Sequence, residues 1–105
     1  MTDCVMVRTT VASEADAIRM GDAVVDARLA ACVQTMPVQS TYRWQGRVER
    51  SAEFLLLMKT RRALVDALMT FVREQHAYDV PELVVTAIEA GSADYLSWIR
   101  QETQG

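Results

Sequence analysis

His76 is the single histidine of this 105-residue chain, and it lies in a polar, aromatic stretch that precedes strand-like residues. Imidazole titrates near neutrality, and together with a thiolate and a carboxylate it suits copper or zinc. Glu82, just beyond that stretch, and one of the two cysteines, Cys4 or Cys32, are the side chains that would complete such a metal site. The structural alternative is that His76 ends a helix and donates a hydrogen bond there. Taken alone, the residues favour that alternative.

Cys32 and Lys59 are two further side chains that can do chemistry. An electropositive pocket, for example beside Lys59, would make Cys32 a thiolate nucleophile or a metal ligand, whereas apolar neighbours would leave it inert. Lys59 follows an apolar run, where it can close the rim of a sheet, bind an anion or pair with Glu53 or Glu82. For both residues the inert or paired role is the favoured interpretation.

No standard catalytic signature occurs in the sequence, which lacks a nucleophile elbow, a zinc-protease motif, a glycine-rich phosphate loop and a C-x-x-C pair. We therefore predict that the protein is not an enzyme. Most of the aromatic surface lies near predicted loops, where it can line a ligand cleft between subunits or anchor an interface. The aromatic residues concerned are Tyr42, Trp44, Tyr78, Tyr95 and Trp98.

Composition and charge exclude several classes of partner. The formal net charge of -3 argues against nucleic acid, because phosphate binding requires a basic surface. No apolar run approaches the ~20 residues of a membrane span, and the opening residues do not resemble a signal peptide. Two cysteines are too few for a disulfide scaffold and fit a reducing compartment. We predict a cytoplasmic protein with no nucleic-acid or membrane partner.

The elements that must position these residues follow the order β-α-β-β-α-β with an added helix, in a single domain spanning residues 1–105. This α+β order is the ferredoxin-like, or split βαβ, pattern, with two main helices on one face of an antiparallel sheet. Ser13 is expected to cap the first helix and Thr60 the second, which would place Arg61 and Arg62 against the positive end of a helix dipole. The predicted bounds are a strand at 4–11, a helix with apolar positions from 17 to 31, strand runs from 31 to 60, a strand at 82–88 and a helix at 95–102.

A long hairpin over residues 31–60, turning at Gln45-Gly46, dominates the pattern. Alternation makes both faces of its second arm apolar, with Glu53, Leu55, Leu57 and Lys59 on one face and Phe54, Leu56 and Met58 on the other. Pro37 is expected to break or bulge the first arm. Because each arm is longer than a small core needs, the distal half at 42–50 is predicted to lie against another subunit.

Six features of the sequence together resemble the CutA divalent-cation tolerance proteins, in register from about Val5 to Ile99. They are LAAC at 29–32, the proline at 37, STYRWQG at 40–46, EFLLLMKT at 53–60, HAYDVPE at 76–82 and DYLSW at 94–98. As a set, these motifs are specific. The chain departs from the family's pattern at Ala77 and Ala87, where proline is usual, and both changes loosen the backbone.

The resemblance implies a homotrimer joined through hairpin strands, with clefts between subunits that hold a small ligand or a metal ion. It also implies a role in tolerance of copper or another divalent cation, with metal ligands Cys32, His76 and Glu82. Carried over by position, the cleft residues are Cys32, Tyr42, Trp44, Lys59, His76, Tyr78, Glu82 and Tyr95. The trimeric plan is also similar to that of the PII signalling proteins, so a small-molecule sensor without a metal role is the alternative.

Overall fold

Residues 2–103 of the chain, described in a computed structural model, form one antiparallel sheet flanked by helices. The strand order is β2-β3-β1-β4, which confirms the predicted α+β, ferredoxin-like pattern. None of the helices in these residues is long and apolar enough to cross a membrane. The elements are β1 (Cys4–Val11), α1 (Glu14–Asp26), β2 (Cys32–Trp44), β3 (Arg47–Arg61), a 3₁₀ turn (Arg62–Leu64), α2 (Val65–Gln75), β4 (Val84–Ala87) and α3 (Ala93–Glu102).

The main core lies between the sheet and the two helices α1 and α2. Even-numbered residues of β3 face these helices, and Leu56 and Met58 are fully buried there. They belong to one cluster with fully buried valines from three elements, namely Val7, Val24 and Val72. The predicted period of two on β3 is therefore confirmed for this face, since alternate side chains of a strand point to opposite sides of a sheet.

The other side of the sheet, which we call the open face, carries Glu53, Leu55, Leu57 and Lys59 of β3 with their cross-strand neighbours. Helix α3 covers one end of it, where Leu96 and Ile99 pack on Cys4. No other helix of residues 2–103 packs on this face, and Met36 on its β2 side remains 44% exposed. The open face thus keeps apolar surface that a partner can cover.

The hairpin of β2 and β3 extends well beyond the sheet. Its two arms pair along their whole length, up to Trp44 and Arg47 at the tip, whereas β1 pairs with β3 only from Phe54 onward. The distal half is therefore a two-stranded ribbon. Gln45 and Gly46 have φ angles of 50° and 80°, as a two-residue type I′ turn requires. The predicted turn position is confirmed.

Pro37 does not interrupt β2, so the predicted break or bulge was wrong. Pro37 pairs in register with Phe54, and the pairing of β2 with β3 skips no residue on either side of it. β2 is an edge strand of the sheet. Proline is tolerated at an edge, because its missing N–H can point away from the ladder.

The first helix ends sooner than its apolar spacing predicted. Ser13 caps α1 as expected, with its hydroxyl accepting a hydrogen bond from the backbone N–H of Asp16 at 3.1 Å. At the other end Arg28 adopts a left-handed φ of 60°, and the N–H of Leu29 bonds back to the carbonyl of Val24. This is the usual way in which a helix terminates, although glycine is the residue preferred at such a φ.

Thr60 does not cap the second helix, so that prediction was also wrong. β3 runs on to Arg61, and the Thr60 hydroxyl donates to the carbonyl of Leu29 at 2.7 Å. The turn Arg62–Leu64 then leads into α2, which leaves both arginines outside that helix. The Arg61 guanidinium instead donates to the hydroxyl and carbonyl of Thr103, at 3.0 Å each. There its charge complements the negative end of the α3 dipole.

The last strand and the closing helix also differ slightly from their predicted bounds. β4 covers only four residues, ending at Ala87, which pairs with Val5. Ser92 occupies the N-cap position of α3, but its side chain makes no capping hydrogen bond. With so few pairs, β4 is a short edge strand, and its outer side has no partner within residues 2–103.

Candidate functional site

Seven of the eight predicted cleft residues lie in two groups at opposite ends of the open face, whereas His76 is the C-cap of α2 and belongs to neither group. The first group, which we call the lysine corner, consists of Cys32, Lys59, Tyr95 and Trp98. The second, which we call the acidic groove, lies between the distal hairpin and loop 78–82, and it is lined chiefly by Tyr42, Trp44, Glu53, Tyr78, Asp79 and Glu82. Along β3 the two ends are roughly 20 Å apart, since Glu53 and Lys59 are six residues apart at about 3.3 Å each.

At the lysine corner, the ammonium of Lys59 is held by an aromatic pair of α3. Its Nζ donates to the Tyr95 hydroxyl at 3.0 Å and lies 5.1 Å from the centre of that ring. The Tyr95 and Trp98 rings are in turn 5.5 Å apart. Neither carboxylate proposed as a Lys59 partner fills that role, because Glu53 and Glu82 bind other groups. Neither of these carboxylates therefore pairs with the lysine at this end of the open face.

The two cysteines differ in their surroundings. Cys32 lies directly across from Lys59 in the β2–β3 register and is half-buried, so its thiol has a cation for a cross-strand neighbour. Cys4 is fully buried under α3. Burial, and next the charge of Asp3, raise the pKa of the Cys4 thiol and keep it uncharged. Of the two, Cys32 is the one placed to react or to bind a ligand.

His76 connects the end of α2 to the end of β1. It is the C-cap of α2, and its Nε2 lies 2.8 Å from the Thr10 carbonyl while its Nδ1 lies 3.1 Å from the Tyr78 N–H. A carbonyl can only accept and a backbone N–H can only donate, so Nε2 carries the proton and Nδ1 is the acceptor. Both nitrogens are therefore engaged. A metal ion could bind His76 only after displacing one of these hydrogen bonds.

Tyr78 donates a hydrogen bond to the carboxylate of Glu53, with 2.8 Å between its hydroxyl and Oε2. Glu53 is only 8% exposed, and a buried carboxylate needs such a donor. Burial first, and then this hydrogen bond and the Glu53 charge, raise the pKa of Tyr78 from 10.0 to about 12. The pair fixes loop 78–82 over the open face.

Replacing Tyr78 with phenylalanine is expected to remove this anchor and to lower the free energy of unfolding by about 1 to 3 kcal/mol, because Glu53 loses its donor. The raised pKa of Tyr78 also makes its contribution to the free energy of unfolding depend on pH. In the folded protein Tyr78 keeps its proton up to about pH 12, so its contribution is complete below pH 10 and is lost as the pH rises from 10 to about 12. Denaturant unfolding below pH 10 and near pH 12 measures this loss.

The matched control is Tyr95→Phe, since Tyr95 has a polar contact with Lys59 but none with a buried carboxylate. Tyr95→Phe is expected to keep the alkaline loss of stability that Tyr78→Phe removes. If the loss between pH 10 and 12 persists unchanged in Tyr78→Phe, the hydrogen bond to Glu53 is not its source.

Glu82 faces Arg8 rather than a lysine. Its Oε2 lies 3.4 Å from the Nε of Arg8, and both side chains are 40% exposed. The Arg8 Nε is itself buried and makes no hydrogen bond, so this contact is an ion pair without good donor geometry. An exposed pair of this kind contributes about 0 to 1 kcal/mol. Glu82 therefore remains available to other cations.

The three predicted metal ligands do not meet in one chain. Cys32 belongs to the lysine corner, whereas His76 binds the carbonyl of Thr10 near the acidic groove. Within residues 2–103 no three His, Cys, Asp or Glu side chains lie close enough to hold a metal ion. A metal site made from Cys32, His76 and Glu82 would therefore need side chains from more than one subunit.

Glu53 of the acidic groove and Arg8, which contacts Glu82, both escaped the sequence interpretation. Glu53 was assigned to the correct face of β3 but only as a partner for Lys59, and Arg8 was not considered at all. The sequence does mark Glu53 as unusual, because it is a carboxylate on the same apolar face of β3 as Leu55 and Leu57. Its donor, Tyr78, is 25 residues away in the chain, and no periodicity indicates that contact.

Comparison with known families gives one match over nearly the whole chain. The family model described as "CutA1 divalent ion tolerance protein" matches residues 5–102. Among characterised relatives, the divalent-cation tolerance protein CutA of Thermus thermophilus is 43% identical over 99 residues, covering 93% of this chain and 96% of its own. The corresponding protein of Pectobacterium atrosepticum is 37% identical, with 94% and 91% covered. These names describe tolerance of ions rather than a catalysed reaction.

Some relatives are longer proteins. The human protein CutA is 43% identical over 96 residues, which is 90% of this chain but 54% of the human protein. The chloroplastic CutA 1 protein of rice is 39% identical, with 95% of this chain and 57% of the rice protein covered. This chain thus spans little more than half the length of these two relatives.

Solved structures agree with the fold. CutA from Xylella fastidiosa superposes with a TM-score of 0.95 at 36% identity, covering 98% of this chain and all of the other. The divalent cation tolerance protein of Thermus thermophilus gives a TM-score of 0.93 at 42% identity, with 96% and 99% covered.

Proposed function

The chain belongs to the CutA1 divalent ion tolerance protein family, and from that membership we propose that it is a cytoplasmic homotrimer that binds copper or another divalent cation, or a small ligand, at clefts between its subunits. The observation that carries the proposal is the open face. It has apolar residues at its centre and chemically active groups at both ends, and it is covered by α3 at one end only.

The two free sheet edges support a ring of subunits. β2 and β4 are different strands at opposite edges, and neither has an outer partner within residues 2–103. A contact between two different surfaces of identical chains is head-to-tail, and it closes into a ring when the rotation permits. The ribbon beyond the sheet adds the exposed rings of Tyr42 and Trp44 to such a contact. Three subunits joined in this way would bring the end of one open face towards the next.

A shared cleft is the arrangement in which Cys32, His76 and Glu82 could act together. Cys32 and Glu82 both have accessible surface. Thiolate and imidazole are ligands that copper and zinc prefer, and a carboxylate can complete the set. His76 would exchange one of its two hydrogen bonds for the metal ion, which adds a cost that the ion must offset.

The test is calorimetric titration of the metal-free protein with copper and with zinc. We expect saturable binding with a stoichiometry tied to three subunits, and an affinity at least about tenfold weaker after His76→Ala. Light scattering of each variant shows whether the assembly is unchanged.

His76→Gln separates ligation from positioning. The glutamine amide can still donate to the Thr10 carbonyl, but it is a poor copper ligand. Copper binding as weak in His76→Gln as in His76→Ala supports direct ligation. Copper binding of unchanged strength in His76→Gln means that His76 is not a ligand.

A second candidate function is a PII-like sensor of an anionic metabolite. The observation that favours it is Lys59, whose ammonium binds Tyr95 rather than a carboxylate within the described residues. Under this alternative metal binding is weak and indifferent to His76, and Lys59→Ala abolishes stabilisation by the ligand.

A further inference from the structure

Arg8 lies in the middle of the open face without the hydrogen bonds that a buried donor needs. It is on β1, where it pairs with Leu57 of β3 on one side and with Val84 of β4 on the other. Its Nε is buried and has no hydrogen-bond partner in residues 2–103. The carboxylate of Glu82 lies 3.4 Å away but not in hydrogen-bonding geometry. Since a buried donor without an acceptor is costly, Arg8 needs an acceptor that the described part of its own chain does not supply.

The surroundings of Arg8 make this need greater once the open face is covered. The Arg8 side chain is 40% exposed, and its neighbours Leu57 and Val84 are apolar and partly exposed as well. A second subunit that packs on these apolar side chains removes water from the guanidinium too. An unpaired charge buried in this way is strongly destabilising, whereas a carboxylate can accept two N–H groups of a guanidinium at once. The covering subunit must therefore bring a carboxylate to Arg8.

The ribbon carries one carboxylate suited to this role. On the side of β3 that continues the open face, the acidic residues are Glu49 and Glu53. Glu53 is buried and already accepts the hydrogen bond of Tyr78. Glu49 pairs across the ribbon with Tyr42, and it makes no ion pair with any side chain in residues 2–103. Glu49 is thus a free carboxylate on the part of the hairpin that is predicted to lie against another subunit.

Arg8 and Glu49 of the same chain cannot meet. Arg8 lies beside Leu57, and Glu49 is eight residues from Leu57 along β3, which is about 26 Å of strand. Two extended side chains do not span that distance. In the proposed ring of three, the apolar open faces would turn inward, away from water, and the ribbon of one subunit would then lie over the open face of the next. A contact between the two residues is therefore a contact between subunits.

We propose that Glu49 of one subunit forms a bidentate ion pair with Arg8 of the next subunit, and that this pair fixes where the ribbon lies on the neighbouring open face. The inference rests on the proposed homotrimer and names the residue that each copy contributes to the contact. Because the pair joins two different surfaces, it occurs three times in a closed ring. A polar pair inside an apolar interface can select one arrangement of the subunits over others that bury similar apolar surface.

The experiment reverses the two charges and measures the trimer dissociation constant by analytical ultracentrifugation, in urea too dilute to unfold the subunit. We expect Arg8→Glu and Glu49→Arg each to weaken assembly at least about tenfold, because each places like charges in contact. The double variant restores opposite charges and should recover assembly to within about threefold of the unchanged protein. Glu74→Arg is the control, since it makes the same change of charge at an exposed residue of α2, which is not part of the open face. This control should assemble as the unchanged protein does.

A second set of variants covers the case in which Arg8→Glu, beside Glu82, does not fold. Arg8→Leu leaves the Glu49 carboxylate without a partner and should weaken assembly, whereas Arg8→Leu combined with Glu49→Leu removes both charges and should restore it. Glu82→Gln tests the neighbour within the chain and should leave assembly unchanged. Weaker assembly in Glu82→Gln, with Glu49→Arg assembling as well as Glu74→Arg, overturns the proposal.

Recovery of assembly in either double variant supports the pair between subunits. Single variants that assemble as well as the unchanged protein, or double variants that assemble no better than the single ones, overturn it. An unchanged protein that is monomeric would contradict the proposed trimer itself. A trimer indifferent to all of these substitutions would contradict only the pair of Arg8 and Glu49 and would leave the proposed trimer intact.

Discussion

A Trp44→Asp protein is expected to elute with the mass of one chain, 11.8 kDa, in size-exclusion chromatography with light scattering, and the unchanged protein is expected to have three times that mass. Trp44 lies at the tip of the ribbon, 51% exposed, on the same side as the open face. In the proposed trimer this ring is covered by a neighbour. An aspartate there would have to lose its water on burial, and even with the cross-strand Arg47 as a partner it would forfeit the apolar contact of the ring at each interface.

Val48→Asp is the matched control, because it introduces the same charge into the same ribbon. Val48 pairs with Arg43, and its side chain points to the opposite side of the ribbon from Trp44. It is 59% exposed, and we expect this variant to remain trimeric. An unaltered trimer in Trp44→Asp would count against an interface on this side of the hairpin.

Leu56→Ala is expected to destabilise the protein by about 2 to 5 kcal/mol, measured as the change in unfolding free energy in urea. Leu56 has no exposed surface and packs in the cluster under α1 and α2, so its truncation leaves a cavity within the subunit itself. The loss should be equally large in trimeric protein and in a Trp44→Asp background.

Its neighbour Leu57 provides the comparison, since it points to the open face and is only half-buried in a single chain. Leu57→Ala is expected to cost less than Leu56→Ala in the Trp44→Asp background and distinctly more in the trimer, where a second subunit would cover it. A double-mutant cycle isolates that difference. An equal effect of Leu57→Ala in both backgrounds would mean that no subunit covers this part of the sheet.

The sequence was sufficient wherever a local rule decides the structure. The bounds of β1 follow from its β-branched residues, Ser13 caps α1 through a contact within one turn, and Gly46 permits the two-residue turn. The apolar alternation on β3 likewise predicted the face that carries Leu56 and Met58, which α1 and α2 cover. Each of these features depends on residues close together in the chain.

Where the outcome depends on distant segments, the sequence was not sufficient. Pro37 fits a regular strand only because β2 is at an edge, and Thr60 stays in β3 because its hydroxyl finds a carbonyl 31 residues earlier. The pairing of Tyr78 with Glu53 spans 25 residues and has no periodic signal. The cleft residues were named from a family resemblance, and within a chain the structure places seven of them in two groups and His76 outside both.

The length of the hairpin has a consequence for the order in which the chain folds. Every contact in the ribbon closes a loop around the tight turn at Gln45 and Gly46, and such short loops close in microseconds. β1 must instead find β4 across about 80 residues, as in the pairing of Met6 with Thr86. Loop-closure entropy places that step late. During synthesis the ribbon can therefore be complete before β1 has paired with β4. The surface that would join the subunits then forms before the sheet of the subunit is complete.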